Sequence, residues 1–424
     1  MKAALSPPEM FVRHIFDEAL AAVDGRPCVR EALQRRGLAG QTDWAVLAVG
    51  KAAEAMLRGA LDVIRPRRAL LITKRGYLDR CWQRGEEGVF RLPEHPAVRA
   101  LEAAHPVPDE SSLRAGAELI DFLCGLPEST ALLCLISGGA SSLVEAPVAG
   151  VDATQLARIT TWLIGSGLGI EDINRVRRRL SRLKDGRMLD HVGSRRVLGL
   201  LISDVPDDAP AVIASGLLCA APPAPLPELP DFIRALLPPS GETRPVAAPV
   251  NLELEIVANL ERARRAAERA AAATVAVHCH APLYGDYAQA AHQIAHVLRD
   301  GPTGLHLWGG EPAVVLPAHP GQGGRNQQLA LAVAGLIRDL PGRVFLAAGT
   351  DGSDGPTEVA GACVSGDSAR AIEQAGFDLA ATLEAANAGP ALRAAGALVA
   401  TGPTGSNVMD LHLGLKTPCA SGCL

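Results

Sequence analysis

Aromatic residues are scarce in this chain: Phe, Trp and Tyr together make up 3% of it. A surface that grips single-stranded nucleic acid by stacking its bases needs more of them. Strong charge is missing too. The formal net charge is −5, which leaves no basic footprint for nucleic acid. No apolar run reaches membrane-spanning length. Near the start, Glu9, Asp17 and Glu18 stand among the apolar residues, unlike a basic-then-apolar secretory signal. The expectation is a cytoplasmic protein with neither nucleic acid nor membrane as partner. The nine cysteines, at 28, 81, 124, 134, 219, 279, 363, 419 and 423, have no paired spacing. Such a set reads as reduced thiols. His278-Cys279-His280 invites a metal, but it follows a strand-like segment, where successive side chains face opposite ways.

What is abundant is small and apolar. Hydrophobic residues reach 48%, and there are 43 glycines and 31 prolines among 424 residues. That length exceeds one typical core. Many Ala and Val with few aromatics suit helices packed closely on parallel sheets, so two α/β domains are expected. The pattern bears this out along the chain. Segment 8–24 has helical spacing. Short β-type runs follow at Trp44–Val49, Ala69–Thr73, Ala131–Ser137 and Val197–Ser203, alternating with helical stretches at 50–62, 109–124 and 153–167. This alternation marks a doubly wound parallel sheet. Segment 221–249 is a proline cluster with a short helical interruption, and reads as a connector. Beyond it, helices are expected near 259–273 and after Asp286. Strands are expected near Thr274–His278, Leu305–Trp308, Ala313–Leu316, Arg343–Ala348 and Ala397–Thr401.

Chemistry-bearing residues gather mostly where these strands end, the edge at which open α/β sheets bind ligands. Gly50-Lys51 follows the first strand and opens a helix, a place where a lysine can hold a phosphoryl or carboxylate group. Ser137-Gly138-Gly139-Ala140-Ser141-Ser142 offers backbone amides and hydroxyls as an anion cradle, though a tight turn would use the same residues. The run Asn174–Arg187 is strongly cationic. A solvated face is its usual meaning, but Asn174, Arg177, Ser181 and Lys184 would share one side of a helix. Ser203-Asp204 follows another strand, where the aspartate can bind Mg²⁺, accept a hydroxyl proton or cap a helix. Gly321–Gln327, with Gly323, Gly324, Arg325 and Asn326, leads into a helix and forms a strong anion receptor. Asp351 and Asp354 lie in a glycine-rich loop that suits a divalent cation or plain Asx turns. Thr401–Asn407, containing Thr404 and Asn407, reads as a polar loop capping a last helix. Glycine cradles, a lysine, an arginine and a carboxylate pair together favour phosphoryl transfer, which needs positioning and charge neutralisation.

At these residues the sequence resembles the glycerate 2-kinase family, the class II glycerate kinases with a MOFRL region. The similarity rests on VGKAA (49–53), HPVPDE (105–110), LISGGASSL (135–143), SDVPDDAPAVIASG (203–216), GGEPAVV (309–315), GGRNQQ (323–328), DGSDGPT (351–357) and TGPTGSNV (401–408). The resemblance implies a Rossmann-like domain over 1–240 and a second α/β domain over 241–424, with the MOFRL region near 303–415 and the active site in the cleft between domains. It implies ATP and Mg²⁺ as cofactors, D-glycerate as acceptor and 2-phosphoglycerate as product. It also makes Lys51 and Arg325 the catalytic cations. On this reading Ser137, Gly138, Gly139, Ser141, Ser142, Asn174, Arg177, Lys184, Gly323, Gly324, Asn326, Thr404 and Asn407 bind substrate or phosphate. Asp351 and Asp354 hold the metal, and Asp204 is the candidate base. The chain departs from the family pattern at Arg178-Arg179, where a Lys-His pair is usual, and at Asp185 in the pattern after Lys184. It departs again at Pro312 and Met409. Two other readings stay open: an NAD(P)H-dependent hydroxypyruvate reductase, and a non-catalytic sensor of phosphorylated metabolites. The first lacks its dinucleotide fingerprint after the first strand. Whether the protein is a homo-oligomer is left open.

Overall fold

The computed structural model describes residues 6–238 and 251–418. Chain contacts divide it into two compact units, Asp24–Ala258 and Met1–Val23 with Asn259–Leu424. The sequence places a boundary at 240/241, in a proline-rich stretch that runs partly outside the described residues. The contacts place the division at 258/259, because the strand before it completes the first unit's sheet.

That sheet has eight strands: β1 Trp44–Val49, β2 Arg68–Lys74, β3 Gln83–Arg84, β4 Phe90–Leu92, β5 His95–Ala103, β6 Ala131–Ile136, β7 Val197–Ile202 and β8 Leu252–Ala258. Their order is β3-β4-β5-β2-β1-β6-β7-β8. Pairing is parallel from β5 across to β8, and antiparallel only at the β3–β4–β5 edge. β1 and β7 are buried at every position, as strands covered on both faces must be. The helix Glu110–Cys124 opens with a capping box in which Asp109 and Ser112 satisfy each other's backbone. Register decides where the site lies. Val49 pairs with Ile136 and Ile136 with Leu201, so the turns after β1, β6 and β7 emerge side by side.

The second unit holds a six-stranded sheet of β9 Val277–Cys279, β10 Gly304–Gly310, β11 Arg343–Gly349, β12 Gly361–Ser365, β13 Leu398–Val399 and β14 Asp410–Lys416. The order is β13-β12-β11-β14-β10-β9. β14 runs antiparallel between β10 and β11, and only β9 with β10 is parallel. The helices Tyr287–Asp300 and Arg325–Leu336 pack Ile294, Leu298, Leu329 and Val333 onto it with Trp308 and Phe345. The helix Pro7–Val23 belongs to this unit and packs on Leu260–Ala272.

Several expectations are corrected here. Ala313–Leu316 is no strand: prolines at 312 and 317 bracket it, and only Ala313 makes an isolated bridge, to Asp286. Val315 and Leu316 stand exposed. The expected last helix after Asn407 is β14, whose apolar residues alternate with period two. The helix of the cationic run, Ile170–Arg179, ends before Ser181 and Lys184, so those two do not share its face. β5, β8 and β12 were not legible from the sequence pattern. Among the described residues seven cysteines are free thiols; Cys419 and Cys423 lie outside them. His278 and His280 find no metal set. His280 Nε2 lies 3.0 Å from His306 Nδ1, and no group of three or more His, Cys, Asp or Glu among the described residues is placed to hold an ion. Nor is any described helix long and apolar enough to cross a membrane.

Candidate functional site

In the parallel-sheet unit the site begins with a turn only glycine fits. Gly50 has φ +132°, and a Cβ there would sit 2.2 Å from Ser137 Oγ. The close approach knits the turns after β1 and β6 together. Lys51 N donates to Gly138 O at 3.0 Å, and Ala52 N donates to Ser137 Oγ at 3.0 Å. Gly139 is left-handed, and a Cβ on it would lie 3.1 Å from Lys51 Cγ and 3.2 Å from His105 Cδ2. Lys51, His105 and the Gly138-Gly139 turn thus form one constellation. Ser141 follows with its hydroxyl 2.8 Å from that of Ser215, which donates to Asn174 Oδ1 at 2.9 Å. Ser142 turns back to Gly139 O. Asp204 is half-buried just after β7, at the same edge of the sheet.

The cationic run is mostly consumed internally. Lys184 is completely buried and its ammonium is hydrogen-bonded to the equally buried Glu145 carboxylate. Burial pulls the Lys184 pKa down and Glu145 works against it. Arg178 donates to Ala211 O, and Arg187 to Ser181 O. Arg177 is half-buried, and burial lowers its pKa against the pull of Glu145. So Asn174 joins the cradle through Ser215, whereas Lys184 is a core ion pair.

The mixed-sheet unit gathers the other predicted residues. β14 sits between β10 and β11 with Asp410 opposite both Gly310 and Gly349. Arg325, first residue of its helix, is held by two carboxylates. Its Nη1 and Nη2 donate to Glu311 at 3.0 and 2.5 Å, and its Nε and Nη2 to Asp410 at 2.6 and 3.1 Å. Burial alone would lower its pKa, but Asp410 and Glu311 outweigh it and hold the guanidinium well above its ordinary value. Asp354 lies at the N-terminus of the same helix. It accepts from the Asn326 and Gln327 amides at 3.0 and 2.8 Å and from Gln327 Nε2 at 3.0 Å. Gly324 makes room, since a Cβ there would meet Asp354 Cγ at 2.2 Å. Gly324 therefore serves this cap, while Gly323 packs against Ala388 and Gly389. Asp351 forms the Asx turn the loop's composition allows, accepting from Ser353 N at 2.9 Å. Thr404 donates its hydroxyl to Thr350 O, Val408 N donates to Thr350 Oγ1 at 2.8 Å, and Asn407 between them is buried.

Sequence reasoning did not assign roles to His105, Glu145, Ser215, Glu311 or Asp410. His105, Ser215 and Glu311 lie inside motifs it singled out. Asp410 carried no local signal, because its importance arises from strand pairing.

An α/β protein with glycine turns, a lysine and serine hydroxyls gathered at the carboxyl ends of parallel strands, and an arginine clamped at the start of a helix on a second sheet, has the makings of a small-molecule enzyme. Comparison with known proteins makes this specific. Residues 11–226 match the family described as a domain of unknown function, DUF4147, and residues 304–410 match the MOFRL family. A D-glycerate 2-kinase of Thermotoga maritima is 33% identical, with 95% of this chain and 96% of that one covered. A protein of Agrobacterium vitis named "Putative hydroxypyruvate reductase" is 34% identical over 95% and 93%. The crystal structure of a glycerate kinase from Thermotoga maritima matches with a TM-score of 0.77 at 30% identity, covering 96% of this chain and 99% of that one. The chain belongs to the glycerate 2-kinase family.

Proposed function

We propose that this chain is a glycerate 2-kinase, transferring the γ-phosphoryl group of ATP to the 2-hydroxyl of D-glycerate. The observation that carries it is the packing of Lys51 against the Gly138-Gly139 turn, which sets a cation beside backbone amides and hydroxyls at a strand-end edge. The kinase relatives support the substrate. In the transfer, the glycerate oxygen forms a bond to the γ-phosphorus, the bond from that phosphorus to the bridging oxygen breaks, and ADP leaves. The hydroxyl proton passes to a base, for which Asp204 is our candidate. Lys51 and the 137–142 cradle hold phosphoryl oxygens, and Asn174 orients the cradle through Ser215. Arg325, with its fork already shared by Glu311 and Asp410, presents a fixed guanidinium to developing charge.

Mg²⁺ is the proposed metal. It needs only one or two protein carboxylates when phosphates supply the rest. Asp351 is our candidate, because one of its oxygens accepts from the Ser353 hydroxyl at 3.1 Å, a donor that can turn away, whereas Asp354 gives both oxygens to backbone amides of the helix N-terminus. The metal would neutralise phosphate charge. We place the protein in the cytoplasm, consistent with the free thiols among the described residues.

The test is phosphorus NMR of the product from D-glycerate, ATP and Mg²⁺. A phosphorus split by one carbon-bound proton marks attachment at position 2, and one split by two marks position 3. Absence of any phosphoglycerate would end the reading. The reductase names among relatives favour a second reading, but the turn after β1 runs Gly50-Lys51-Ala52-Ala53 without the dinucleotide fingerprint. Loss of NADH absorbance with hydroxypyruvate would revive it.

A further inference from the structure

Four arginines stand on the helix Ile170–Arg179, and three of them have acceptors. Arg175 donates to Pro225 O at 2.6 Å and pairs with Asp172 at 2.8 Å. Arg178 donates to Ala211 O at 3.0 Å, and Arg179 to Pro238 O at 2.7 Å. Arg177 differs. Among the described residues its guanidinium has neither a hydrogen bond nor an ion pair, yet the side chain is half-buried. Glu145 is the carboxylate that supports its charge. Both oxygens of Glu145 are already engaged, one by the Lys184 ammonium and the other by Ala146 N at 3.1 Å. Lys184 and Glu145 cancel as charges, so Arg177 is left as one positive charge beside them.

Asn174 lies one turn earlier on the same face of the helix, and it is buried. Its Oδ1 accepts from Ser215, whose hydroxyl lies 2.8 Å from that of Ser141 in the cradle. Its Nδ2 donates to no atom of the described residues. A guanidinium fork and an amide thus adjoin the cradle with no acceptor of their own. Holding such donors partly out of water costs free energy unless a ligand satisfies them.

We propose that Arg177, with the Asn174 amide, grips the carboxylate of the acceptor and so restricts the reaction to hydroxy acids. This inference rests on the phosphoryl-transfer reading above. A planar guanidinium matches the two oxygens of a carboxylate. One leftover positive charge balances one carboxylate, whereas the phosphates of ATP carry several negative charges. Those belong with Lys51 and the Gly138-Gly139 turn. The link from Asn174 through Ser215 to Ser141 then sets the acceptor beside the phosphoryl group rather than in its place. An acceptor with a hydroxymethyl group instead of the carboxylate would leave the fork unmatched.

Steady-state kinetics of the full chain with D-glycerate and ATP test this, in Arg177→Met and Arg177→Lys. Arg177→Met is expected to raise KM for D-glycerate at least about tenfold. KM for ATP should stay within about twofold and kcat should change little. Arg177→Lys keeps the charge without the fork and should fall between parent and Arg177→Met; it serves alone should the latter not fold. The melting temperature of Arg177→Met should equal or exceed the parent's, because no internal partner is left unpaired. The proposal is overturned if KM for D-glycerate does not move, or if KM for ATP rises as much. A lower melting temperature with both KM values raised together marks a structural arginine and overturns it as well. A parent that makes no phosphoglycerate ends the phosphoryl-transfer reading and this inference together. An active parent with the variants' KM unmoved ends this inference alone.

Discussion

The two units set their key cations in different surroundings. In the parallel-sheet unit, Lys51 stands beside backbone amides and serine hydroxyls that glycine turns bring within reach. In the mixed-sheet unit, charges answer one another: Glu311 and Asp410 hold Arg325, and the helix N-terminus takes both oxygens of Asp354. A motif rich in Arg and Asp does not by itself present free charge. Asp410 reaches Arg325 only through the pairing of β14 with β10 and β11. Lys184 teaches the same lesson inside the first unit, because Glu145 meets it in the core.

The sharpest way to break this contrast is Arg325→Ala. If the clamped guanidinium still serves the transfer, kcat should fall on the order of a thousandfold. Asp410 would also be left buried and alone, costing about 3–5 kcal/mol of stability. Measuring kcat and the melting temperature together separates the two effects, and Arg325→Lys should keep more of the fold than of the turnover. Near-normal turnover in Arg325→Ala would make the clamp purely structural.

Lys184→Met comes next. A core pair predicts a loss of about 3–5 kcal/mol, because Glu145 stays charged and unpaired. Replacing Glu145 by Leu in the same molecule should restore most of it, as read by urea unfolding. A substrate lysine would show instead as a raised KM with unchanged stability.

Asp354 sharpens the comparison through pH. Burial pushes its carboxyl up to about 6, against the hydrogen bonds from Asn326 and Gln327. The folded state then holds a proton that the unfolded state, titrating near its ordinary value of 3.8, has released. Its favourable contribution is complete below about pH 4 and is lost as pH rises to about 6, amounting to roughly 2–3 kcal/mol. Unfolding curves across that window should show the decline, and Asp354→Asn should flatten it.

Gly50→Ala probes the parallel-sheet unit with the smallest expected effect. The added methyl would meet Ser137 Oγ at 2.2 Å and Ser137 O at 2.6 Å. A loss of about 1–3 kcal/mol is expected, with a raised KM for ATP if the cradle holds phosphate. An unaltered KM would detach this turn from nucleotide binding.

Legibility from sequence followed the range of the interactions. β1, β2, β6 and β7 lie within a residue of their expected bounds, since fully buried parallel strands read as short apolar runs between glycine turns. β8 was hidden because Leu252, Glu253, Leu254 and Glu255 sit beside a proline cluster that reads as connector. Ala313–Leu316 misled, since apolar residues between prolines look like a strand and cannot join a ladder. In the site, Gly50, Lys51 and the Gly138-Gly139 turn were visible locally. Glu145 as the partner of Lys184, and Asp410 as the partner of Arg325, lie 39 and 85 residues away along the chain.

By itself the sequence determined the α/β class, the strand-end placement of the glycine turns and the kinase-like residue set, because turn chemistry and hydrophobic period act over a few neighbours. Only the tertiary structure decided which charges answer one another. An ion pair depends on where a distant strand brings its carboxylate, and burial then fixes the energy of leaving either partner alone.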